Sequence, residues 1–108
     1  MNITRIYGVA VLLTVSGAAS AASDSEAVAM MAGALIAQAN SCNLPTAPIE
    51  AAMNKWFDNN SVASSERQRL SSATDLSRRA MKGYTPKGGC SEVKRSIEDY
   101  RAKVGPGS

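Results

Sequence analysis

Histidine is absent from the 108 residues, and aromatic side chains are scarce, with one tryptophan, one phenylalanine and three tyrosines. Without an imidazole there is no Ser-His-Asp or Cys-His catalysis, no His-containing zinc site and no histidine switch near neutral pH. Cysteine is limited to Cys42 and Cys90, a spacing far from the C-x-x-C pattern of redox or metal pairs. No segment alternates apolar and polar residues for long enough to mark a strand, and no apolar run reaches the about 20 residues of a membrane-spanning helix. A carboxylate pair of the glycosidase kind needs a cleft, which a chain this small has little room to build. These absences together predict a protein that is not an enzyme and uses no metal or cofactor.

What is present begins with an address. Met1 to Arg5 carry one positive charge, Ile6 to Val15 form an uncharged and mostly apolar run, and the small residues Gly17 to Ser23 follow. This is the pattern of a cleavable export signal, with cleavage expected after Ala21 or Ala22. Residues 1–22 are therefore read as a signal peptide, 23–104 as a helical domain and 105–108 as a disordered tail. The expected location is periplasmic or secreted. In such an oxidising compartment an even cysteine pair in a small domain is most simply a disulfide, and joining Cys42 to Cys90 contributes about 4 kcal/mol in the chain-entropy account.

Helical periodicity fills the rest. Ser23-x-x-Glu26 has the form of a capping box, and Val28, Met31, Leu35, Ala39 and Cys42 recur at steps of three and four. Prolines at 45 and 48 interrupt the pattern, after which Ile49, Ala52, Met53, Trp56 and Phe57 mark one face of a second helix ending at Asn59-Asn60-Ser61. That triplet also fits the glycosylation sequon. A third helix is expected to start between Ser61 and Ser65 and run to about Lys82, with Leu70, Ala73, Leu76, Ala80, Met81 and Tyr84 as its apolar stripe. The fourth starts at Ser91, with Val93, Ile97, Tyr100 and Val104 spaced by four, three and four. Cys90 lies three before Val93, so both cysteines fall on predicted core faces. The fold class is all-α, a small four-helix bundle-like domain with one long-range disulfide; short loops favour antiparallel neighbours, and an open arrangement with steep crossings also fits.

Charge is divided unevenly. Between Ser23 and Ala63 the acids Asp24, Glu26, Glu50 and Asp58 face Lys55 alone, whereas from Ser64 onward ten Lys and Arg face five Asp and Glu. Arg67, Arg78, Arg79 and Lys82 form a candidate basic face for an acidic protein surface or an anionic envelope component, against the plainer reading of a solvated helix face. Met53, Trp56 and Phe57 form a second candidate surface. Adjacent Trp56 and Phe57 cannot both point at one spot, so one is expected in the core and the other at its margin; Met30 and Met31 read as core filler. Nucleic acid is excluded by the export signal and by the lack of aromatics interleaved with the charges.

The general plan, a small exported helical protein with one long-range disulfide, is similar in outline to that of periplasmic acid-stress chaperones, the resemblance being carried by Cys42 and Cys90. It implies a holdase, in which carboxylates would supply any acid response. The function expected first is an exported, non-enzymatic accessory or binding protein of the bacterial envelope that contacts a protein or anionic envelope partner. A holdase, or an inhibitor or immunity protein, is the alternative.

Overall fold

The computed structural model describes residues 17–106, with side chains of the first helix described from residue 24 onward. Residues 1–16, and with them most of the expected signal peptide, lie outside the described residues. Four helices occur among the described residues: α1 Gly17–Ser41, α2 Ala47–Asn59, α3 Ser64–Ala80 and α4 Gly89–Val104. No strand occurs among the described residues. Helix α1 runs continuously through residue 23, so Ser23 stands inside it and is not its N-cap.

The ends of α1 and α2 are built alike. Asn43 (φ 56°) and Ser61 (φ 52°) take the left-handed conformation just beyond each helix. The next residue's N–H then turns back, from Leu44 to the Ala39 carbonyl at 2.8 Å and from Val62 to the Phe57 carbonyl at 3.0 Å. This closure satisfies carbonyls left without partners at a helix end, and it aims an apolar residue back at the helix. Leu44 and Val62 both pack on the core as a result. Thr46 occupies the N-cap of α2 and caps through its backbone carbonyl, which accepts from the N–H of Ile49 and Glu50.

The core is drawn from the expected faces of α1, α2 and α4: Val28, Leu35 and Ala39; Ile49, Ala52 and Phe57; Val93, Ile97 and Tyr100. Helix α3 contributes one fully buried side chain, Leu70. The rest of its predicted stripe is corrected by the structure: Leu76, Ala80 and Tyr84 are exposed, while Ala73 and Met81 are half-buried. Met30 and Met31, expected as core filler, are also exposed.

The reason lies in which helices meet. The most extensive helix contact joins α1 to α3, and α2 also packs on α4. In the first pair residue numbers rise together, Ala29 with Thr74 and Met30 with Ser77, so α1 and α3 run in the same direction. Helix α4 runs against α1, as Cys42 meets Cys90 and Val28 meets Tyr100. The up-and-down order thus survives, but the principal contact is between α1 and its second neighbour along the chain.

Small residues make that contact possible. A Cβ on Gly33 would overlap the Thr74 carbonyl oxygen and come to 3.0 Å from both the Arg78 nitrogen and the Ser77 Cβ. With Ala29 and Ala37 on the same side of α1, the two backbones approach closely enough for hydroxyls to cross between them. Thr74 Oγ1 donates to the Ala29 carbonyl at 3.0 Å, and Ser77 Oγ to the Met30 carbonyl at 2.7 Å. So tight a crossing is centred on Gly33 and Thr74, and it leaves the outer sides of both helices uncovered.

At the opposite side of α1 the Cys42–Cys90 disulfide holds α4, with its Cα atoms 5.7 Å apart. Cys42 is half-buried against the core, but Cys90 is exposed, which corrects its expected place on a core face. The bond sits at the rim. Beyond α4, Gly105, expected to open the tail, is buried: a Cβ there would stand 2.6 Å from Ala52 Cα.

Candidate interaction surfaces

The basic residues singled out in the sequence do not form one cationic face. Arg67 is committed locally: its Nε donates to the Val62 carbonyl at 2.8 Å, its Nη1 stands 2.9 Å from Asp58, and its guanidinium lies 5.6 Å from the centre of the Phe57 ring. It thereby fastens the end of α2 to the start of α3. Arg78 and Arg79 converge on a single carboxylate, Asp75, at 2.5 and 2.6 Å. Their charges hold the Asp75 carboxyl below the ordinary range, the hydrogen bond from Arg78 being the chief cause. Lys82 is exposed and, with Arg78, borders a small cleft against Ala37, Asn40 and Ser41. Arg67 lies eleven positions before Arg78, about 16 Å along a helix, and lines a different hollow.

That hollow brings together three of the predicted residues. Met53, Phe57 and Arg67 line a space of about 310 Å³ with Ile36, Glu50 and Thr74. Phe57 is buried and Trp56 half-buried, their rings edge to face at 6.2 Å, so the expected division between core and margin holds. Trp56 itself does not line the hollow.

A larger groove lies elsewhere and was missed in the sequence. It runs between α1 and α4 with a volume of about 450 Å³. Met31, Ala34, Leu35 and Gln38 supply one wall at helical spacing, and Ser96, Asp99, Tyr100, Lys103 and Val104 the other. Its surface is mainly apolar, while Gln38, Ser96 and the Asp99–Lys103 ion pair (3.1 Å) form a polar rim. The Tyr100 hydroxyl points away into the core, donating to the Val28 carbonyl at 2.8 Å; burial pushes its pKa up, so it stays a neutral donor.

Adjoining this groove is an uncharged face. No Asp, Glu, Lys or Arg occurs from Ala27 to Ile49, so the outward side of α1 presents Ala27, Met30, Met31 and Ala34. Met30 is 48% and Met31 52% exposed. Across the Ser77–Met30 hydrogen bond, α3 continues the face with Ala73, Leu76, Ser77 and Ala80, which share one side of a helix; Leu76 is 67% exposed. Near its border Arg69 is paired with Glu66 and stands 3.9 Å from Glu26. The Arg69 hydrogen bond lowers the Glu66 pKa.

Among the described residues no three acidic or cysteine side chains gather as metal ligands, and no helix is long and apolar enough to cross a membrane. Comparison of the chain with protein-family models, with curated proteins and with solved structures gives no match.

Proposed function

We propose that this chain works outside the cytoplasm, in the periplasm or as a secreted protein, as a non-enzymatic accessory protein that binds a protein partner in the α1–α4 groove. The groove itself carries the reading. Its apolar floor of Leu35, Tyr100 and Val104 beside a half-exposed Met31 suits an inserted apolar stripe. Its polar rim suits the flanks of an amphipathic helix. A flexible thioether on the wall adapts to more than one apolar shape. The disulfide and the export-signal pattern support the location. The cations at 67, 78 and 79 lie within contact of acids of the same chain, which favours a protein groove over an anionic envelope component as the main contact.

The test is a pull-down from envelope extract with the oxidised protein as bait, alongside a Ser96→Glu variant that places a charge in the α4 wall of the groove. One stoichiometric partner retained by the wild type and lost by the variant supports the reading. Equal capture by both, or none, sinks it. Repeating the experiment after acidification separates the holdase alternative, for which many unrelated proteins would be captured only at low pH.

A further inference from the structure

We propose that the uncharged face shared by α1 and α3, made of Ala27, Met30, Ala73, Leu76 and Ala80, is where two copies of this chain meet. This surface adjoins the groove, and Met31 and Ala34 stand at the boundary the two share.

Periodicity is the first argument. Ala73, Leu76, Ser77 and Ala80 recur at steps of three, one and three, the spacing of a helix side that is normally covered. Within one chain Leu76 and Ala80 stay exposed and Ala73 is only half-buried, because Gly33 draws α3 onto α1 through Leu70, Thr74 and Ser77. Ala27, Met30, Met31 and Ala34 repeat the same spacing on α1. The two stripes lie side by side, joined where Ser77 bonds the Met30 carbonyl, and form one continuous surface from two parallel helices. Three of the four large apolar side chains most exposed among the described residues, Met30, Met31 and Leu76, belong to it. Single exposed apolar residues are ordinary; a contiguous set on adjoining helices marks an interaction site.

Charge decides the occupant. In a two-fold contact each residue faces its own surface patch, so any net charge on the patch meets a like charge. This patch contains none, and the cation at its border, Arg69, is matched within the same chain by Glu66 and Glu26. A partner of opposite charge would find nothing here to steer it, whereas a second copy presents the same apolar stripes and brings no repulsion. The product is an intermolecular four-helix layer, α1 and α3 of one copy against α1 and α3 of the other.

Sedimentation equilibrium of the oxidised protein across a concentration series tests this, and the expected result is a concentration-dependent shift from monomer to dimer mass. Added salt should leave the dimer in place, since no ion pair holds it. Leu76→Glu should shift the population to monomer while the far-ultraviolet circular dichroism stays unchanged, because the substituted position is exposed in the single chain. Met30→Glu should act in the same direction. A nitroxide at residue 80 should report a second label within measurable range in the dimer, and lose it in Leu76→Glu. A monomeric mass up to the solubility limit overturns the proposal, as does a dimer that persists unchanged in Leu76→Glu. Neither substitution touches the α1–α4 groove, so loss of self-association with partner capture intact distinguishes this inference from the proposed function.

Discussion

Helix α1 is held on its two sides by different means. Toward α3 the contact is made by absence: no side chain on Gly33, methyl groups at Ala29 and Ala37, and hydroxyls that reach carbonyls across the gap. Toward α4 it is made by larger groups and a covalent bond, with Leu35, Ile97 and Tyr100 in the core and Cys42 joined to Cys90 at the rim. Close approach of backbones fixes geometry, since little can move when the main chains themselves touch. A disulfide acts chiefly on the unfolded chain and tolerates some looseness in the packing around it. The α1–α4 groove lies on the covalently held side and the continuous uncharged face on the closely packed side. Each surface is thus consistent with how its supporting helices are joined.

The largest expected effect breaks the covalent side. Replacing both cysteines with serine should cost about 4 kcal/mol of unfolding free energy, read from denaturant titration without reductant, while leaving the α1–α3 contact formed at low denaturant. An unchanged midpoint would mean that the bond does not contribute to the fold. The packed side should respond next. Gly33→Ala would normally help a helix, but here the added methyl meets main-chain atoms of α3 that cannot swing aside, so a loss of about 2 kcal/mol is expected. A stabilised Gly33→Ala would show that the two helices separate at no cost.

The smallest effect comes from acid. Asp75 and Glu66 have lowered pKa values because arginines bond their charged forms, so they add stability above the ordinary carboxylate pKa and lose it as the pH falls through the lowered values. Both are solvated, and the melting temperature should hold from neutral pH down to about 5 and decline only below about 4. A steep fall between pH 7 and 5 would point to groups other than these pairs.

Much of the fold was legible in the sequence because helices announce themselves by spacing. The apolar faces of α2 and α4 were legible from spacing, Cys90 apart, and so was the division of Trp56 and Phe57 between core and margin, although not which of the two lies inside. The cysteine pairing followed from number and from the oxidising compartment expected of an export-signal pattern. What spacing does not convey is which partner covers a given face. Leu76 and Ala80 look like core in one dimension, and only the place of Gly33 under Thr74 shows why they end outside. Glycine and alanine in α1 carry almost no pattern of their own, yet they decide the principal helix contact. The candidate site was read less well for a related reason. Arg67 and Arg78 share a helix side by periodicity, but the nearest carboxylate, Asp58 for one and Asp75 for the other, gave each a separate local task. The groove was invisible because its walls come from helices at opposite ends of the sequence.

The pairing of α1 with α3 also governs how the chain finds its fold. Small helical proteins usually fold quickly because their contacts are close in sequence, and search time grows as contacts become more distant. Here the hydroxyl bonds between α1 and α3 link residues 45 and 47 positions apart, the disulfide spans 48, and Tyr100 reaches Val28 across 72. The contacts between helices, as opposed to those within them, cannot form until distant parts of the chain have met. Folding should therefore be slow for a helical protein of this length, and oxidation that joins residues 42 and 90 early would shorten the search by bringing α4 to α1 before either has found its remaining partners.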